Sequence, residues 1–190
     1  MAEESHLHTT ELWIALPPEA SNCEPAFDHH PVLPRWHANG CDLTLLAGSY
    51  QGKQSPTKLY SPLVGIDLHS ANGCEIELPL DPGFEYGMLC LQGGAARIDD
   101  KEQVAANELV YLAPGRNTLR LRLPPNGHAL LLGGTPSPQE VLIWWNFVGY
   151  DKAVIAQAQR DWEAGHERYG RVVDADGPPM TAPPLPWVGY

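Results

Sequence analysis

Between Leu43 and Leu132 apolar side chains return at every second position in short runs, and Asn-Gly pairs punctuate the sequence. Leu119, Leu121 and Leu123 alternate with Arg120 and Arg122, and Ile76 and Leu78 alternate with Glu75 and Glu77. Successive side chains of a strand point to opposite faces, so this period predicts antiparallel strands with one buried and one wet face. Asn39-Gly40, Asn72-Gly73 and Asn126-Gly127 each sit between two apolar runs. Asn and Gly tolerate the positive φ that a type I′ turn demands at both central residues, so these pairs are expected to close hairpins. About eight or more short strands fit in the interval, and a sandwich or barrel is the natural closure of an all-β chain of this kind.

The 18 glycines and 19 prolines among 190 residues suit many short strands joined by tight turns. The length allows one sizeable domain, or one domain with part of another. A net charge of −11 argues against a nucleic-acid or anionic-membrane partner, because phosphate binding needs a cationic surface. No apolar run approaches the roughly 20 residues of a membrane helix, and the first residues, with glutamates and histidines, lack the character of a secretory signal. Cys23, Cys41, Cys74 and Cys90 are widely spaced and form no CxxC, which favours reduced thiols and a cytoplasmic location over zinc or redox use.

Outside the alternating region the pattern changes. "ELWIALPP" reads as a buried strand ended by proline. Asp151 is a candidate N-cap for a helix over "KAVIAQAQRDWEA", with Val154 or Ile155, Ala158 and Trp162 on one stripe and Gly165 at the C′ position. From Gly177 onward "GPPMTAPPLPWVGY" is too rich in proline for sheet or helix interiors, and an extended tail anchored by Trp187 and Tyr190 is expected. Adjacent strand residues face opposite ways, so Trp144 and Trp145 are expected to split between core and interface.

The stretch "LDPGFEYGMLCLQGGAARID", followed by "NELVYLAPGRNTLRLRL" and "HALLLGG", resembles a cupin, a double-stranded β-helix or jelly-roll barrel, with a hairpin near Gly93-Gly94. "LWIALPPEA", "PAFDHHPVLP" and above all "WWNFVGYDKAVIAQAQRDWEAG" with "DGPPMTAPPLP" are similar to the pirin family of tandem cupins, and the likeness covers nearly the whole chain. The resemblance implies three parts: residues 1–36 as remnant of the first barrel with linker, 37–148 as the second barrel, and 149–190 as a C-terminal helix and proline-rich tail. It also makes "LWIALP" a late strand of the first barrel, so the chain reads as a pirin lacking most of that barrel.

Complete pirins, as the resemblance implies, hold iron or a related divalent metal with three histidines and one glutamate, a set suited to oxygen chemistry. On that pattern Met1 stands where one ligand histidine belongs and Glu3 stands at the carboxylate position, a remnant without its partners. No cofactor is therefore expected in this chain. His6 and His8 form an HxH pair that would share one strand face with Glu3 or Glu11 nearby, a weaker alternative; Glu11 is expected to be solvated. His29 and His30 read as a surface loop pair, and His37, His69, His128 and His166 read as isolated. In the second barrel, "PGFEYGMLCL" contains no histidine and the later ligand slot falls on Thr118 or Leu119, so this barrel is expected to be metal-free. Arg116, Arg120 and Arg122 read as part of a wet strand face rather than an anion site.

The function expected from the resemblance is that of a C-terminal part of a metal-dependent dioxygenase of the quercetin 2,3-dioxygenase type, inactive as this chain. The alternative is a non-catalytic, protein-binding or regulatory cupin module, suggested by Trp36 and Trp187 in loop or tail positions. A sugar-binding or isomerase cupin is a weaker third reading, because those sites need ligands inside one barrel. A protein partner, or self-association through the exposed barrel remnant, is expected.

Overall fold

The structure, a computed structural model, describes residues 9–170 and 177–189. Two compact units divide the chain: Ala26–Pro138 forms one, and the described parts of Met1–Pro25 and Gln139–Tyr190 form the other.

The first unit is built from twelve strands among the described residues: β1 (Arg35–Ala38), β2 (Cys41–Ala47), β3 (Ser49–Tyr50), β4 (Lys53–Gln54), β5 (Leu63–Ser70), β6 (Cys74–Pro79), β7 (Glu85–Gln92), β8 (Ala96–Ile98), β9 (Glu102–Val104), β10 (Leu109–Leu112), β11 (Thr118–Leu123) and β12 (Gly127–Gly134). A six-stranded sheet runs β1-β2-β5-β12-β7-β10 and a four-stranded sheet runs β6-β11-β8-β9. All their pairings are antiparallel. The period-two residues do what the pattern predicts. Leu43 and Leu45 of β2, Ile76 and Leu78 of β6, and Leu119, Leu121 and Leu123 of β11 are buried in a shared aliphatic core. The result is the all-β barrel that the alternation demands.

The turns hold a correction. Only Asn39-Gly40 makes the expected two-residue hairpin, with φ of +51° and +80° between β1 and β2. Asn72-Gly73 and Asn126-Gly127 carry the chain from one sheet to the other, between β5 and β6 and between β11 and β12. Each of these has one positive φ, at Gly73 (+86°) and Asn126 (+55°), where a type I′ turn needs two. The stretch around Gly93-Gly94 likewise crosses between sheets, from β7 to β8, and is not a hairpin. Trp36 lies in β1 and packs against the core, with Lys53 Nζ 5.0 Å from its ring, so it is not a loop residue.

The second unit has a short hairpin, β13 (Leu142–Trp144) with β14 (Phe147–Gly149), then the helix α1 (Lys152–Glu163). Asp151 Oδ1 accepts the Val154 N–H at 2.8 Å, and Gly165 takes φ +67°, so both ends of the helix form as read. Ile155 and Ala158 supply the buried stripe, while Val154 stays half exposed. The tail is extended: Ala182 is buried, Trp187 stacks edge-on against Trp144 at 6.1 Å, and Trp162 Nε1 donates to the Met180 carbonyl at 2.7 Å. Tyr190 lies outside the described residues. Trp144 and Trp145 do not split. Trp145 occupies the hairpin turn at φ +49°, off the strand alternation, and both rings join one aromatic cluster with Phe147, Trp162 and Tyr169.

"ELWIALPP" forms no strand. Leu12, Trp13 and Ile14 are 39 %, 51 % and 50 % exposed, because a strand needs a ladder partner and the described residues give this segment none.

Candidate functional site

The middle of the barrel interior and one of its ends differ. Through its middle, the inward positions of β7 are Tyr86, Met88 and Cys90, and Leu119 faces inward on β11 while Thr118 is exposed. Buried hydrocarbon and sulfur side chains occupy these inward positions, where a barrel-borne metal site would need imidazoles.

At one end, where β2 gives way to β3 and where β5 and β7 begin, the barrel opens into a cavity of about 280 Å³. Leu59, Val64 and Phe84 give it apolar walls, Tyr50 and Tyr86 bring two phenols, and Asp81 is the one ionisable carboxylate in the lining. Gly48 makes this shape possible. Its φ is +82°, and a Cβ there would sit 2.0 Å from the Leu63 carbonyl oxygen. Gly133 of β12 lies flat against the Tyr86 ring, where a Cβ would come within 2.3 Å of a ring carbon. The Tyr86 hydroxyl accepts the Asp81 N–H at 2.8 Å, and its own proton has only a long, 3.5 Å approach to the Asp81 carbonyl. The Tyr50 hydroxyl is buried with no hydrogen-bond partner among the described residues. Burial, with Tyr86 nearby, raises the Tyr50 phenol well above its ordinary value, and burial also raises Tyr86, so both are neutral hydroxyls at physiological pH.

The expected candidates fare differently. Glu3, His6, His8 and Met1 lie outside the described residues. Glu11 is exposed and accepts a hydrogen bond from Trp13 Nε1 at 3.0 Å. His29 is exposed, whereas the Nε2 of His30 is buried and without a partner among the described residues. His166 accepts the Arg168 N–H at 3.2 Å and caps a short turn, so it is structural. His37, His69 and His128 are not isolated, contrary to the expectation. The ladders align His37 with Asp42, Asp42 with His69, His69 with His128, and His128 with Gln92, in one row across five strands. His37 Nδ1 stands 2.8 Å from Asp42 Oδ1, and His128 Nε2 stands 2.5 Å from Asp67 Oδ1. Cross-strand register assembles this row, and no sequence spacing signals it.

Among the described residues no group of three or more His, Cys, Asp or Glu side chains is arranged to hold a metal ion. The donor set of the described residues therefore does not fit the metal that the resemblance implies. Arg120 and Arg122 sit on the wet face as expected, paired with Asp100 at 3.2 Å and Glu75 at 2.8 Å, and Arg116 meets Asp99 at 2.5 Å. The four cysteines are free thiols. No helix among the described residues is long and apolar enough to cross a membrane.

Comparison with known proteins agrees with this architecture. Residues 65–168 match the model of the pirin C-terminal cupin domain. A Pseudomonas aeruginosa protein provisionally named quercetin 2,3-dioxygenase is 50 % identical over 187 residues, covering 98 % of this chain and 59 % of the relative. A pirin-like protein of Caulobacter vibrioides is 33 % identical, covering 82 % of this chain and 53 % of its own length. The crystal structure of a quercetin 2,3-dioxygenase from Acinetobacter baumannii superposes with a TM-score of 0.85 at 34 % identity, over 94 % of this chain and 59 % of that one. The chain thus spans somewhat over half the length of these relatives. Barrel, helix and tail together carry the likeness, and the chain belongs to the pirin family of cupin proteins.

Proposed function

We propose that this chain is the C-terminal cupin part of a metal-dependent dioxygenase of the quercetin 2,3-dioxygenase type, and that these 190 residues do not turn over substrate by themselves. The observation that carries the reading is the 50 % identity, over nearly the whole chain, to the Pseudomonas relative. The aliphatic filling of the barrel centre supports it from the other side, since the barrel then acts as a scaffold and the oxygen chemistry falls to an iron or similar ion held outside the described residues. The four free thiols support a reducing, cytoplasmic setting.

The test is quercetin consumption and oxygen uptake after ferrous loading, for the chain alone and for the chain co-expressed with the part of the Pseudomonas relative that it does not match. Turnover by the pair with none from the chain alone is expected. Turnover and stoichiometric metal in the chain alone would overturn its inactivity, and a silent pair would overturn the dioxygenase reading.

A second reading, a protein-binding or regulatory module, draws on one observation. Leu109 and Tyr111 of the edge strand β10 are 61 % and 62 % exposed, and an apolar edge is a ready pairing surface. Under this reading the chain self-associates or captures a protein partner through such edges. Replacing both residues by lysine is expected to abolish any concentration-dependent sedimentation; unchanged behaviour counts against it.

A further inference from the structure

Cys41 and Cys74 are buried nucleophiles that the dioxygenase reading leaves unused. Each opens a strand directly after an Asn-Gly pair, Cys41 at the start of β2 and Cys74 at the start of β6. The two strands belong to different sheets, β2 to the six-stranded one and β6 to the four-stranded one, yet both cysteines are buried in the same core. Far apart in the sequence, they meet at one end of the barrel.

The backbone there is tightly packed. The Ser70 hydroxyl, fully buried, donates to the Gly40 carbonyl at 2.8 Å and ties the turn before Cys41 to the end of β5. A Cβ on Gly40 would lie 3.5 Å from the Cys74 Cβ and 3.4 Å from the Gly73 carbonyl oxygen, so the residue before Cys41 already touches Cys74. A disulfide joins Cα atoms about 4.4–6.8 Å apart, and neighbouring Cα atoms are about 3.8 Å apart, so this contact brings the pair into the neighbourhood of that range. The thiols also act on each other. Cys74, together with burial, raises the Cys41 thiol, while Cys41 lowers the Cys74 thiol against the effect of burial. A lowered thiol beside a neutral one is the arrangement of an attacking and a resolving cysteine. Cys74 is 8 % exposed and Cys41 0 %, so a small reagent from solvent meets Cys74 first.

We propose that Cys74 is a site of reversible oxidation by a hydroperoxide and that Cys41 resolves it, closing a disulfide that ties the two sheets together. In the first step the Cys74 sulfur attacks one peroxide oxygen. The S–O bond forms, the O–O bond breaks, and the leaving oxygen departs as water, or as an alcohol from an organic hydroperoxide. In the second step the Cys41 sulfur attacks the Cys74 sulfur, the S–S bond forms, and the S–O bond breaks with loss of water. Two thiols are oxidised by two electrons and one peroxide is reduced by two. A dithiol reverses the change by exchange and is itself oxidised to a disulfide. The free thiols of the structure are the reduced state of this pair, and the site is independent of where a metal is held.

The test uses the full chain with Cys23→Ser, which removes the exposed thiol, and hydrogen peroxide as the probe. Of the three remaining thiols, one is expected to survive peroxide treatment of the folded protein, and non-reducing peptide mapping is expected to join Cys41 to Cys74. The bonded chain is expected to melt about 5–10 °C higher, because the bond closes a long loop of the unfolded chain, and dithiothreitol is expected to return it to the original melting point. In Cys41→Ala the second step has no partner, and dimedone is expected to trap a sulfenic acid at Cys74. The mapping itself needs no substitution in the core, so it decides the matter even where that variant fails to fold. Survival of all three thiols, a bond that includes Cys90, a bond that forms only in urea, or a bonded chain that melts below the reduced one would each overturn the proposal.

Discussion

The two units solve the same burial problem with different materials. The barrel of Ala26–Pro138 buries aliphatic side chains, Leu43, Leu68, Leu119 and Leu121 among them, on strands whose ladders satisfy the backbone. The other unit has one helix, a three-residue-strand hairpin and a proline-rich tail, and its cluster gathers Trp144, Trp145, Phe147, Trp162, Tyr169 and Trp187. Aromatic rings bury far more area per residue than aliphatic chains, so a few of them hold together a segment with little regular structure. The barrel depends instead on backbone geometry: its strands must approach closely, and a single misplaced Cβ disturbs several ladders at once. The first unit is thus sensitive at its glycines, and the second at its rings.

Gly48→Ala is the sharpest way to break that comparison. A left-handed alanine is strained, and a Cβ 2.0 Å from the Leu63 oxygen forces backbone apart, so a loss of about 4 kcal/mol or more is expected in urea unfolding. Gly94→Ala is its control. Gly94 also has positive φ, +100°, but nothing lies within 4 Å of the added carbon, and only the conformational cost of about 1–2 kcal/mol is expected. Equal losses at the two positions would show that conformation rather than close approach limits the barrel.

Phe147→Ala tests the other side. Phe147 is 6 % exposed and its ring meets Trp145 at 5.4 Å and Tyr169 at 6.4 Å. A loss of about 3 kcal/mol is expected, with collapse of the near-ultraviolet aromatic signal while amide protection of β5, β7 and β12 persists. Simultaneous loss of barrel protection would mean that the two units do not differ in what stabilises them.

The same contrast explains what could be read in advance. Period-two alternation at residues 74–79 and 118–123 is a local signal, and it reports directly which side chains face the core. The helix was equally legible, because a cap, a stripe and a terminal glycine are all local. Which strand neighbours which is not local. Asn72-Gly73 and Asn126-Gly127 look like hairpins in the sequence, yet strands β5 and β6, and β11 and β12, belong to different sheets, and only the closed topology distinguishes a hairpin from a corner. The row from His37 to Gln92 has the same origin, since its members are tens of residues apart and meet only through register. The surroundings of Tyr50 were not legible for a related reason: it lies on a two-residue strand and is surrounded by residues from Gly48 to Tyr86 that meet only in the fold. The family likeness was legible in the long run from Trp144 to Gly165, whereas the glutamate it singles out, Glu3, falls outside the described residues.

Asp151→Ala is expected to act within the second unit alone and more gently than Phe147→Ala. The Asp151 carboxylate satisfies one N–H at the start of α1 and sits at the positive end of the helix dipole. Removing it is expected to cost about 1 kcal/mol, seen in thermal unfolding, and Asp151→Asn is expected to recover most of it because the side-chain oxygen remains. If the asparagine variant loses as much as the alanine one, the charge matters more than the hydrogen bond.

The smallest intervention changes no residue. Cys74 begins β6 and is 8 % exposed; Cys90, in β7, is 1 % exposed. The neighbouring Cys41 thiol lowers the Cys74 thiol below its ordinary value, the opposing effect of burial notwithstanding, whereas burial raises Cys90. Only the thiolate is alkylated, so the lowered group keeps its reactive form to a lower pH than an ordinary thiol, which loses it below about pH 8.5. In the folded protein the rate of iodoacetamide labelling at Cys74, followed by mass spectrometry, is therefore expected to be half-maximal below about pH 8.5, the midpoint of an ordinary thiol, and Cys90 is expected to stay unmodified at every pH where the barrel holds. A Cys74 midpoint at or above about pH 8.5 would show that burial cancels or outweighs the influence of Cys41.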